Sequence, residues 1–414
     1  MSRQNTVVLF TLSFPYGKGE AFLESELPVL LQSFQRVVIV PRDAVGTLRP
    51  IPDQVEVDAS FSERIPSGLG MVFSVSKRLS WDKVIHRELR HNKQVRFHFK
   101  SLKLLIYYRI IRDVIKLWYE TKHFDSHTIF YTYWLESFTY GLGSLKTEHP
   151  LTLVSRAHRY DLYEEPYNRP YFPFRKTMFD SIDQVFPISK HGEQYLHSKY
   201  ALGEDKVTLS RLGVKDGRFT TLNSRDGVFR VVSCSSFMKQ KRVDLILNSI
   251  AQMADRYDKP IEWTHIGDGE FRQEVQQLGE RLLPDHVKWT FLGSIDNSSV
   301  IAYYQSNYVD VFVNLSSSEG LPVSMMEVLG CGIPIVATDV GGVDEIVNNH
   351  TGVLLDQNVL PQEVATQLLR FAPDSTPDLG LKASARAYWE SAFRSDYNYE
   401  HFVSVLQSMI SDQL

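Results

Sequence analysis

The length, composition and charge of the chain set the first limits on its fold and function. With 414 residues it is too long for one ordinary hydrophobic core, so two domains of about 200 residues each are expected. Its residues are 43% hydrophobic and 23% charged, as in globular proteins, and the net charge of -4 gives no overall attraction to nucleic acid. Cys234 and Cys331 provide neither a disulfide framework nor the spacing of a metal site, which fits a reducing cytoplasm.

A β-α-β unit is predicted at the start of the chain. A strand over Val7–Phe10 is followed by a glycine-bearing loop, a helix over Glu20–Ser33 and a second strand over Val37–Val40. The loop stands at the carboxyl end of the first strand, where open α/β sheets bind ligands. Gly17 and Gly19 are therefore candidates for a binding loop, and a plain turn is an equally good interpretation of them.

The chain is not expected to cross a membrane, because no run of 18 apolar residues occurs in it. The apolar run at residues 6–14 lacks a small-residue cleavage site, so it is interpreted as a strand and not as a signal peptide. The expected location is cytoplasmic, including a peripheral position on the inner face of the membrane.

Residues 71–123 differ from the rest of the chain in charge. They hold 13 lysines and arginines against four acids, which gives +9 here and -13 elsewhere. Apolar residues recur at helical spacing from Leu102 to Leu117, so helices with a basic face are predicted. Such a face suits anionic lipid or simply solvent, and nucleic acid fits less well because no recognition motif accompanies the charge.

Three more strands are predicted in the N-terminal half, over Thr128–Tyr131, Leu151–Ser155 and Gln184–Ile188. Polar or aromatic residues follow each of them. His158 comes after the second of these strands, among charged residues at a carboxyl end. A structural role and a role in a site are about equally expected for this histidine.

Polar turn residues at 223–227 place a domain boundary between residues 222 and 223. Beyond them strands alternate with helical segments of ten or more residues, as in a parallel, doubly wound sheet. The six predicted strands are Phe229–Cys234, Glu262–Ile266, Val287–Leu292, Val309–Asn314, Ile333–Thr338 and Gly352–Leu355. Lys239, Lys241 and Arg242 follow the first of them, and residues 293–296 follow the third, so these groups are expected on one rim.

Residues 314–332 carry the strongest local pattern. A strand turns through three serines into a helix that begins near Pro322, where the missing N–H of proline costs nothing. The free N–H groups of Val323 and Ser324, together with the helix dipole, suit a phosphate group. Glu319 lies before the helix, and Glu327 lies on it among apolar residues, so Glu327 is expected to have a polar partner.

These residues resemble the signature of the retaining glycosyltransferases of family 4. The resemblance covers about residues 5–410 and is loosest between about 45 and 125. It rests on Glu319-Gly320-Leu321-Pro322, on Glu327, on Gly330-Cys331-Gly332-Ile333-Pro334, on Val340-Gly341-Gly342, on Lys241-Arg242-Val243-Asp244 and on Arg156-Ala157-His158. An early Phe14-Pro15 with Glu20-Ala21-Phe22 is similar to members that build bacterial surface polysaccharides.

The resemblance implies the GT-B fold, an α/β architecture of two Rossmann-like doubly wound domains that face a central cleft. Residues 1–222 would form the acceptor domain with its basic helical region, and residues 223–385 the nucleotide-sugar domain. Residues 386–414 would form a helix that packs back on the first domain; an ordinary packing helix of the second domain is almost equally expected.

The resemblance also implies a role for each group on the rim. Glu327 would accept hydrogen bonds from the ribose of a UDP- or GDP-sugar, and Glu319 would hold the hydroxyls of the donor sugar. Lys241 would stabilise the departing diphosphate, and His158 would contact the sugar or the developing charge. The remaining donor-binding residues would be Gly320, Leu321, Val323, Ser324, Gly17, Gly19, Arg242 and Ile295.

The implied reaction transfers a hexosyl unit to a saccharide or lipid-linked acceptor, with retention and without a metal ion or other cofactor. Ser236 departs from the family, which commonly has arginine five positions before the lysine. The alternatives are a non-catalytic saccharide-binding protein and a sugar-nucleotide epimerase of the same fold. A dinucleotide-dependent oxidoreductase is disfavoured, because no Gly-x-Gly-x-x-Gly turn follows a strand with an acid about 20 residues on.

Overall fold

The structure, a computed structural model, describes residues 5–411 except 18, 69, 72–73, 77–81, 92–98, 165–171, 218, 222–223 and 374–378. The chain divides into two compact units, one of Met1–Arg211 with Tyr399–Leu414 and one of Leu212–Asn398. The boundaries expected from the sequence lay at 222/223 and 385/386, and residues 222 and 223 are outside the described residues.

Backbone pairing explains why the second unit begins earlier than the turn residues suggested. Val214 forms a parallel bridge with Arg394, and the N–H of Thr221 donates to the carbonyl of Cys331 at 2.9 Å. Residues 212–221 therefore belong to the second unit, although their sequence carries no strand or helix pattern.

The first unit is built on a six-stranded parallel sheet with the order β3-β2-β1-β4-β5-β6. Val7 and Leu9 point into one apolar cluster and Val8 and Phe10 into another, so β1 is covered on both faces. The strands are β1 Thr6–Thr11, β2 Arg36–Pro41, β3 Val55–Val57, β4 Thr128–Thr132, β5 Thr152–Ala157 and β6 Gln184–Pro187. Five of these were predicted, and β3 was missed because only three residues pair.

Helices connect these strands on both sides of the sheet. They are α1 Leu23–Ser33, α2 Ser60–Glu63, α3 Lys83–His91, α4 Phe99–Glu120, α5 Ser137–Leu145, α6 Arg159–Leu162, α7 Arg175–Ser181 and α8 Lys190–Tyr200. Helix α1 was expected from Glu20, and it starts three residues later because Glu20 has a φ of 55°.

The basic segment at residues 71–123 is described only in part, since 72–73, 77–81 and 92–98 lie outside the described residues. Lys83, Lys100 and Lys103 are exposed. Ion pairs join Arg109 to Asp82 at 2.8 Å, Arg112 to Asp113 at 3.1 Å, Lys116 to Glu148 at 2.6 Å and Lys122 to Asp58 at 2.5 Å. Acids neutralise part of the predicted basic face, and its contact with anionic lipid stays a prediction.

The second unit repeats the topology of the first. Its parallel sheet has the order β12-β11-β10-β7-β8-β9, which is the same arrangement counted from β7. The strands are β7 Phe229–Cys234, β8 Ile261–Ile266, β9 Val287–Gly293, β10 Val311–Asn314, β11 Ile335–Thr338 and β12 Gly352–Leu355. The helices are α9 Val243–Ala254, α10 Arg272–Leu282, α11 Asn297–Ser306, α12 Val323–Gly330, α13 Pro361–Leu368 and α14 Leu379–Ala392. All six strands were predicted, within two residues at each end.

The C-terminal segment contains two helices where one was expected. Helix α14 packs Trp389 against Gly330 within the second unit. The next helix, α15 Ser395–Ser411, buries Phe402, Val403 and Leu406 in the apolar cluster of the first unit that also contains Val7. Among the described residues, no helix is both long and apolar enough to span a bilayer.

Candidate active site

The candidate site of the second unit lies where β7 and β10 are neighbours. The chain continues from β7 to β8 on one side of the sheet and from β10 to β11 on the other, so this is a topological switch point. Open α/β sheets bind ligands in the crevice outside the strand ends at such a point. The loop after β7 brings Lys241, and the loop after β10 brings Glu319.

Lys241 and Glu319 form a direct ion pair. The Nζ of Lys241 donates to Oε1 of Glu319 at 2.6 Å, and the Nδ2 of Asn314 lies 3.5 Å from the same oxygen. Lys241 is half-buried and Glu319 is buried, so the pair is partly shielded from water. The two residues with the strongest predicted catalytic roles are thus brought together from different strands.

Backbone contacts fix the loop that carries Glu319. The N–H of Ser317 donates to the carbonyl of Gln240 at 2.7 Å, and the hydroxyl of Thr338 donates to the carbonyl of Ser316 at 2.6 Å. At Gly341, where φ is 61°, an added Cβ would lie 2.0 Å from the carbonyl oxygen of Glu319. The loop therefore has the rigid support that a preorganised charged group needs.

Glu327 lies on α12 and is buried. Its partner is the Nδ2 of Asn297, which donates to Oε1, so the polar partner expected from the sequence exists. Burial raises the pKa of Glu327 to about 7, against the lowering effect of the Asn297 hydrogen bond. Sequence reasoning missed Asn297; its position at the start of α11, directly after the turn that contains Ile295, was the available signal.

The N-terminus of α12 is arranged as the sequence suggested. Pro322 precedes the first helical residue, and no side chain caps the helix. Val323 and Ser324 form the first turn and are half-buried, whereas Gly320 and Leu321 are buried in the preceding loop. The first N–H groups of a helix lack intrahelical partners, so they can donate to an anion.

Arg242 is engaged with the protein itself, and its predicted donor contact stays a prediction. Its guanidinium donates to the carbonyl oxygens of Leu315, Ser316 and Gln357. This arginine therefore ties the loop after β7 to the loop after β10. The Nζ of Lys239 lies 5.3 Å from the centre of the Phe271 ring.

His158 lies in the first unit at the end of β5. The backbone N–H of His158 donates to Oδ1 of Asp161 at 2.6 Å, and the centre of its imidazole ring lies 4.5 Å from the centre of the Trp134 ring. The ring is buried, and among the described residues neither nitrogen has a hydrogen-bond partner, although Nδ1 lies 3.6 Å from Oδ2 of Asp161. This geometry leaves both nitrogens available, and the predicted contact with a donor sugar stays a prediction.

Gly17 and Gly19 form the loop after β1 in the first unit. Their carbonyl oxygens accept hydrogen bonds from Arg49, at 2.6 Å from Nε and 2.5 Å from Nη2. The structure thus places both glycines in the unit that lacks Lys241 and Glu319. Their predicted donor contact stays a prediction, and the turn role is the one that the contacts support.

The described residues contain no ready cluster of metal ligands. In the part of the chain that the structure describes, no group of three or more histidine, cysteine, aspartate or glutamate side chains could hold a metal ion. Independence from a metal ion stays a prediction.

A protein-family model matches most of the second unit. Residues 217–388 match the family model described as glycosyl transferases group 1. The match spans nearly the whole second unit, including Lys241, Glu319 and Glu327. The resemblance expected from the sequence motif is confirmed at this level.

Two curated relatives act in bacterial polysaccharide pathways, by their names. The amylovoran biosynthesis glycosyltransferase AmsK of Erwinia amylovora is 22% identical over 266 residues, which cover 62% of each chain. The putative colanic acid biosynthesis glycosyltransferase WcaL of Escherichia coli K12 is 23% identical over 261 residues, which cover 61% of this chain and 63% of the relative. The chain thus spans less than two thirds of the length of these relatives.

Solved structures resemble the chain over almost its whole length. Anabaena Alr3699/HepE, crystallised with UDP and glucose, has a TM-score of 0.67 at 16% identity and covers 98% of this chain and 100% of its own. Sucrose-phosphate synthase of Thermosynechococcus elongatus has a TM-score of 0.72 at 15% identity, with coverage of 99% and 100%. The fold is the GT-B fold predicted from the sequence, with two doubly wound parallel sheets.

Proposed function

We propose that this protein is a retaining glycosyltransferase of family 4 that moves a hexosyl unit from a nucleotide-diphosphate sugar to a saccharide or lipid-linked acceptor in bacterial polysaccharide synthesis. The observation that carries the proposal is the ion pair of Lys241 and Glu319 at the switch point of the group 1 domain. The names of AmsK and WcaL and the UDP and glucose in the HepE crystals support the substrate class.

Lys241 is the group that would stabilise the leaving diphosphate. An ammonium group has three N–H donors, and the contact with Glu319 uses one of them. The other two would donate to phosphate oxygens as negative charge grows there, with the N–H groups of Val323 and Ser324 as further donors. Glu319 keeps the ammonium in place before the donor arrives, so little reorganisation is required.

Glu319 and Glu327 would bind the neutral parts of the donor. The second oxygen of Glu319 would accept hydrogen bonds from the sugar hydroxyls beside the reacting carbon. Glu327, held by Asn297, would accept from the ribose diol, and each charge-assisted bond would contribute about 1.5 to 3 kcal/mol. Both contacts position the anomeric carbon against the diphosphate.

Retention requires that the acceptor attack on the face from which the diphosphate departs. In the proposed step the bond from the anomeric carbon to the phosphate oxygen breaks, and the bond to the acceptor oxygen forms through an oxocarbenium-like transition state. The departing phosphate takes the proton of the acceptor hydroxyl. No protein nucleophile is involved, so neither glutamate becomes covalently modified.

The first prediction compares substitutions in the Lys241–Glu319 ion pair with a substitution of a nearby lysine. Lys241→Ala and Glu319→Gln should each lower transfer by about 100-fold or more, because a preorganised donor or its anchor is lost. Lys239→Ala is the matched control, since Lys239 lies in the same turn but packs over Phe271. The donor is chosen by thermal shift against UDP-, GDP- and ADP-sugars, and the rate is measured as nucleotide release with saccharide and lipid-linked acceptors.

Equal rates for Lys241→Ala and Lys239→Ala would contradict the assignment, provided that both variants keep the melting temperature of the wild type. Proton NMR of the product then tests the reaction class. A glycoside with the anomeric configuration of the donor is expected. Inversion would disprove retention, an epimerised free sugar product would indicate an epimerase, and binding without turnover would indicate a saccharide-binding protein.

A further inference from the structure

Because the topology is repeated, each of the two sheets has its own switch point. Both sheets have a switch point between the first and fourth strands of their unit, β1 and β4 in one and β7 and β10 in the other. Both switch points are expected to attract a ligand on general grounds. The motif residues Lys241 and Glu319 lie in the second unit, whereas the first switch point carries Phe14-Pro15 and Glu20-Ala21-Phe22.

At the first switch point, three successive backbone N–H groups converge on one carboxylate. The N–H groups of Leu12, Ser13 and Phe14 each donate to the Glu20 side chain at 2.8 Å. The indole Nε1 of Trp134, directly after β4, donates to the same group at 2.7 Å. Successive N–H groups that converge in this way form an anion-binding nest of the kind that holds phosphate in other proteins.

The carboxylate of Glu20 is fully used by these contacts. Oε1 accepts from Leu12 and Trp134, and Oε2 accepts from Ser13 and Phe14, so all four hydrogen-bonding positions of the carboxylate are occupied. The residue is only 8% exposed. Glu20 is therefore placed to fill the nest and not to bind a ligand itself.

The backbone of Glu20 itself has an uncommon conformation. Its φ of 55° lies in the left-handed region, which favours glycine. Arg49 fixes the loop from the other side through the carbonyls of Gly17 and Gly19. A non-glycine residue persists in this region only where its surroundings determine it, and such residues cluster at functional sites.

The second unit has the opposite charge at the corresponding place. In the described residues of the loop after β7, Arg242 is the non-glycine residue with a positive φ, at 47°, and Lys241 precedes it. Among the described residues, the loop after the first strand of each sheet thus carries an acid in one unit and bases in the other; Lys18 of the first loop lies outside the described residues. A phosphate would meet a carboxylate at the first switch point and an ammonium group at the second.

We propose that the Glu20 carboxylate is a built-in substitute for phosphate, which occupies the anion-binding nest of Leu12, Ser13 and Phe14 and thereby excludes phosphate groups from that nest. The same contact fixes the indole of Trp134, whose ring packs against His158. The nest becomes a working anion site once the carboxylate is removed. This inference does not depend on which donor the second unit binds, or on transfer activity.

The test measures anion binding in the full-length protein with Glu20 removed. Glu20→Gly empties the nest and relieves the positive φ, and Lys241→Ala in the same chain weakens the phosphate site proposed for the second unit. Thermal unfolding is followed at constant ionic strength while inorganic phosphate or acetate replaces chloride. The melting temperature of the double variant should be lower than that of Lys241→Ala alone. Both anions should stabilise the double variant in a saturable way. The half-saturating phosphate concentration should be at least about tenfold lower than that of Lys241→Ala.

Glu24→Ala in the Lys241→Ala background is the matched control, because Glu24 is a half-exposed acid of the same segment that contacts Arg49. It should respond to phosphate and acetate as Lys241→Ala does. If the protein with both Glu20→Gly and Lys241→Ala also responds to the two anions as Lys241→Ala alone does, the proposal is overturned. If that protein does not fold, phosphate-soaked wild-type crystals decide: phosphate bound to the Leu12–Phe14 amides overturns the inference, and the Glu20 carboxylate in place with phosphate only in the second unit supports it.

Discussion

Among single residues, Glu327 should make the stability of the protein depend on pH, because its carboxyl group is buried. A carboxyl group ordinarily has a pKa near 4.5, and burial raises the pKa of Glu327 to about 7. Folding therefore favours the protonated form. The contribution of this group to stability is fully present below about pH 4.5 and is lost as the pH rises through 7, which amounts to about 3 kcal/mol.

Glu327→Gln should remove this dependence, because the amide stays neutral and its oxygen can still accept from Asn297. We expect the variant to match the wild type near pH 5 and to be more stable by about 2 to 3 kcal/mol at pH 8. Urea unfolding at both pH values measures the difference. Glu274→Gln, at an exposed position of α10, should follow the wild type at both pH values. A constant difference across the pH range would show that Glu327 is not the titrating group.

Arg156 shows how far the role of a motif residue depends on tertiary contacts. The sequence places it two positions before His158, in the stretch that resembles the family. The structure buries it completely, with Nη2 3.2 Å from the Glu26 carboxylate and Nε donating to the hydroxyl of Tyr131 at 2.7 Å. Its guanidinium also lies 4.0 Å from the ring centre of Phe402. Arg156 therefore holds α1, the sheet and the last helix together inside the first unit.

Among the elements of the fold, the loop between β10 and α12 decides the geometry of the site. Its sequence, three serines followed by Glu319-Gly320-Leu321-Pro322, predicted a tight turn and the start of a helix, and both are present. What positions Glu319 is the packing of a distant glycine pair: Gly341 touches the Glu319 carbonyl, and the N–H of Gly342 donates to the carbonyl of Gly320 at 2.9 Å. The glycines matched the family motif, but the motif did not show what they support.

Gly341→Ala should therefore damage the site more than the fold. An added Cβ would lie 2.0 Å from the Glu319 carbonyl oxygen, so the loop must shift, and we expect at least a tenfold loss of transfer, about 1.4 kcal/mol in the barrier. Gly227→Ala is the matched control, because its φ is also positive at 79° but no atom lies within 4 Å of the added Cβ. That variant should lose about 1 kcal/mol of stability and keep its activity. Equal activity of the two variants would refute the packing argument.

Secondary structure was predictable wherever the local pattern was strong. The six strands of the second unit follow from apolar runs that alternate with helical segments, since strands buried on both faces leave this pattern. Strand β3 and the start of α1 were not predictable in the same way. Val55–Val57 becomes a strand only by pairing with β2, and Glu20 leaves the helix because its side chain binds the backbone of residues 12–14.

In the molecule as a whole, the last helix stabilises a unit that begins nearly 400 residues earlier in the chain. Phe402, Val403 and Leu406 are buried in the same apolar cluster as Val7 and Leu9 of β1. Phe402 also lies 5.2 Å from the ring of Tyr131 and 4.9 Å from the ring of Phe186. The first unit is therefore incomplete without residues 399–411.

Phe402→Ala should destabilise the first unit by about 3 to 5 kcal/mol, because the aromatic side chain is lost from a core that cannot fully close over the cavity. Tyr397→Ala in the same helix is the matched control, since Tyr397 is 64% exposed. It should change stability by less than about 0.5 kcal/mol. Hydrogen exchange of the β1 and β4 amides reports on the first unit directly. Unchanged protection in Phe402→Ala would show that the helix is not part of this core.

The sequence by itself determined the parallel α/β architecture, the second doubly wound sheet and the stretch from Glu319 to Glu327, because periodicity and short motifs are local properties of a chain. Only the tertiary structure decided which groups meet. The contact of Lys241 with Glu319 joins residues 78 positions apart, and the contacts of Arg242 with the Leu315 carbonyl and of Trp134 with Glu20 are likewise long-range. Each depends on the order in which strands pair, since that order brings the ends of β1 and β4, and of β7 and β10, side by side.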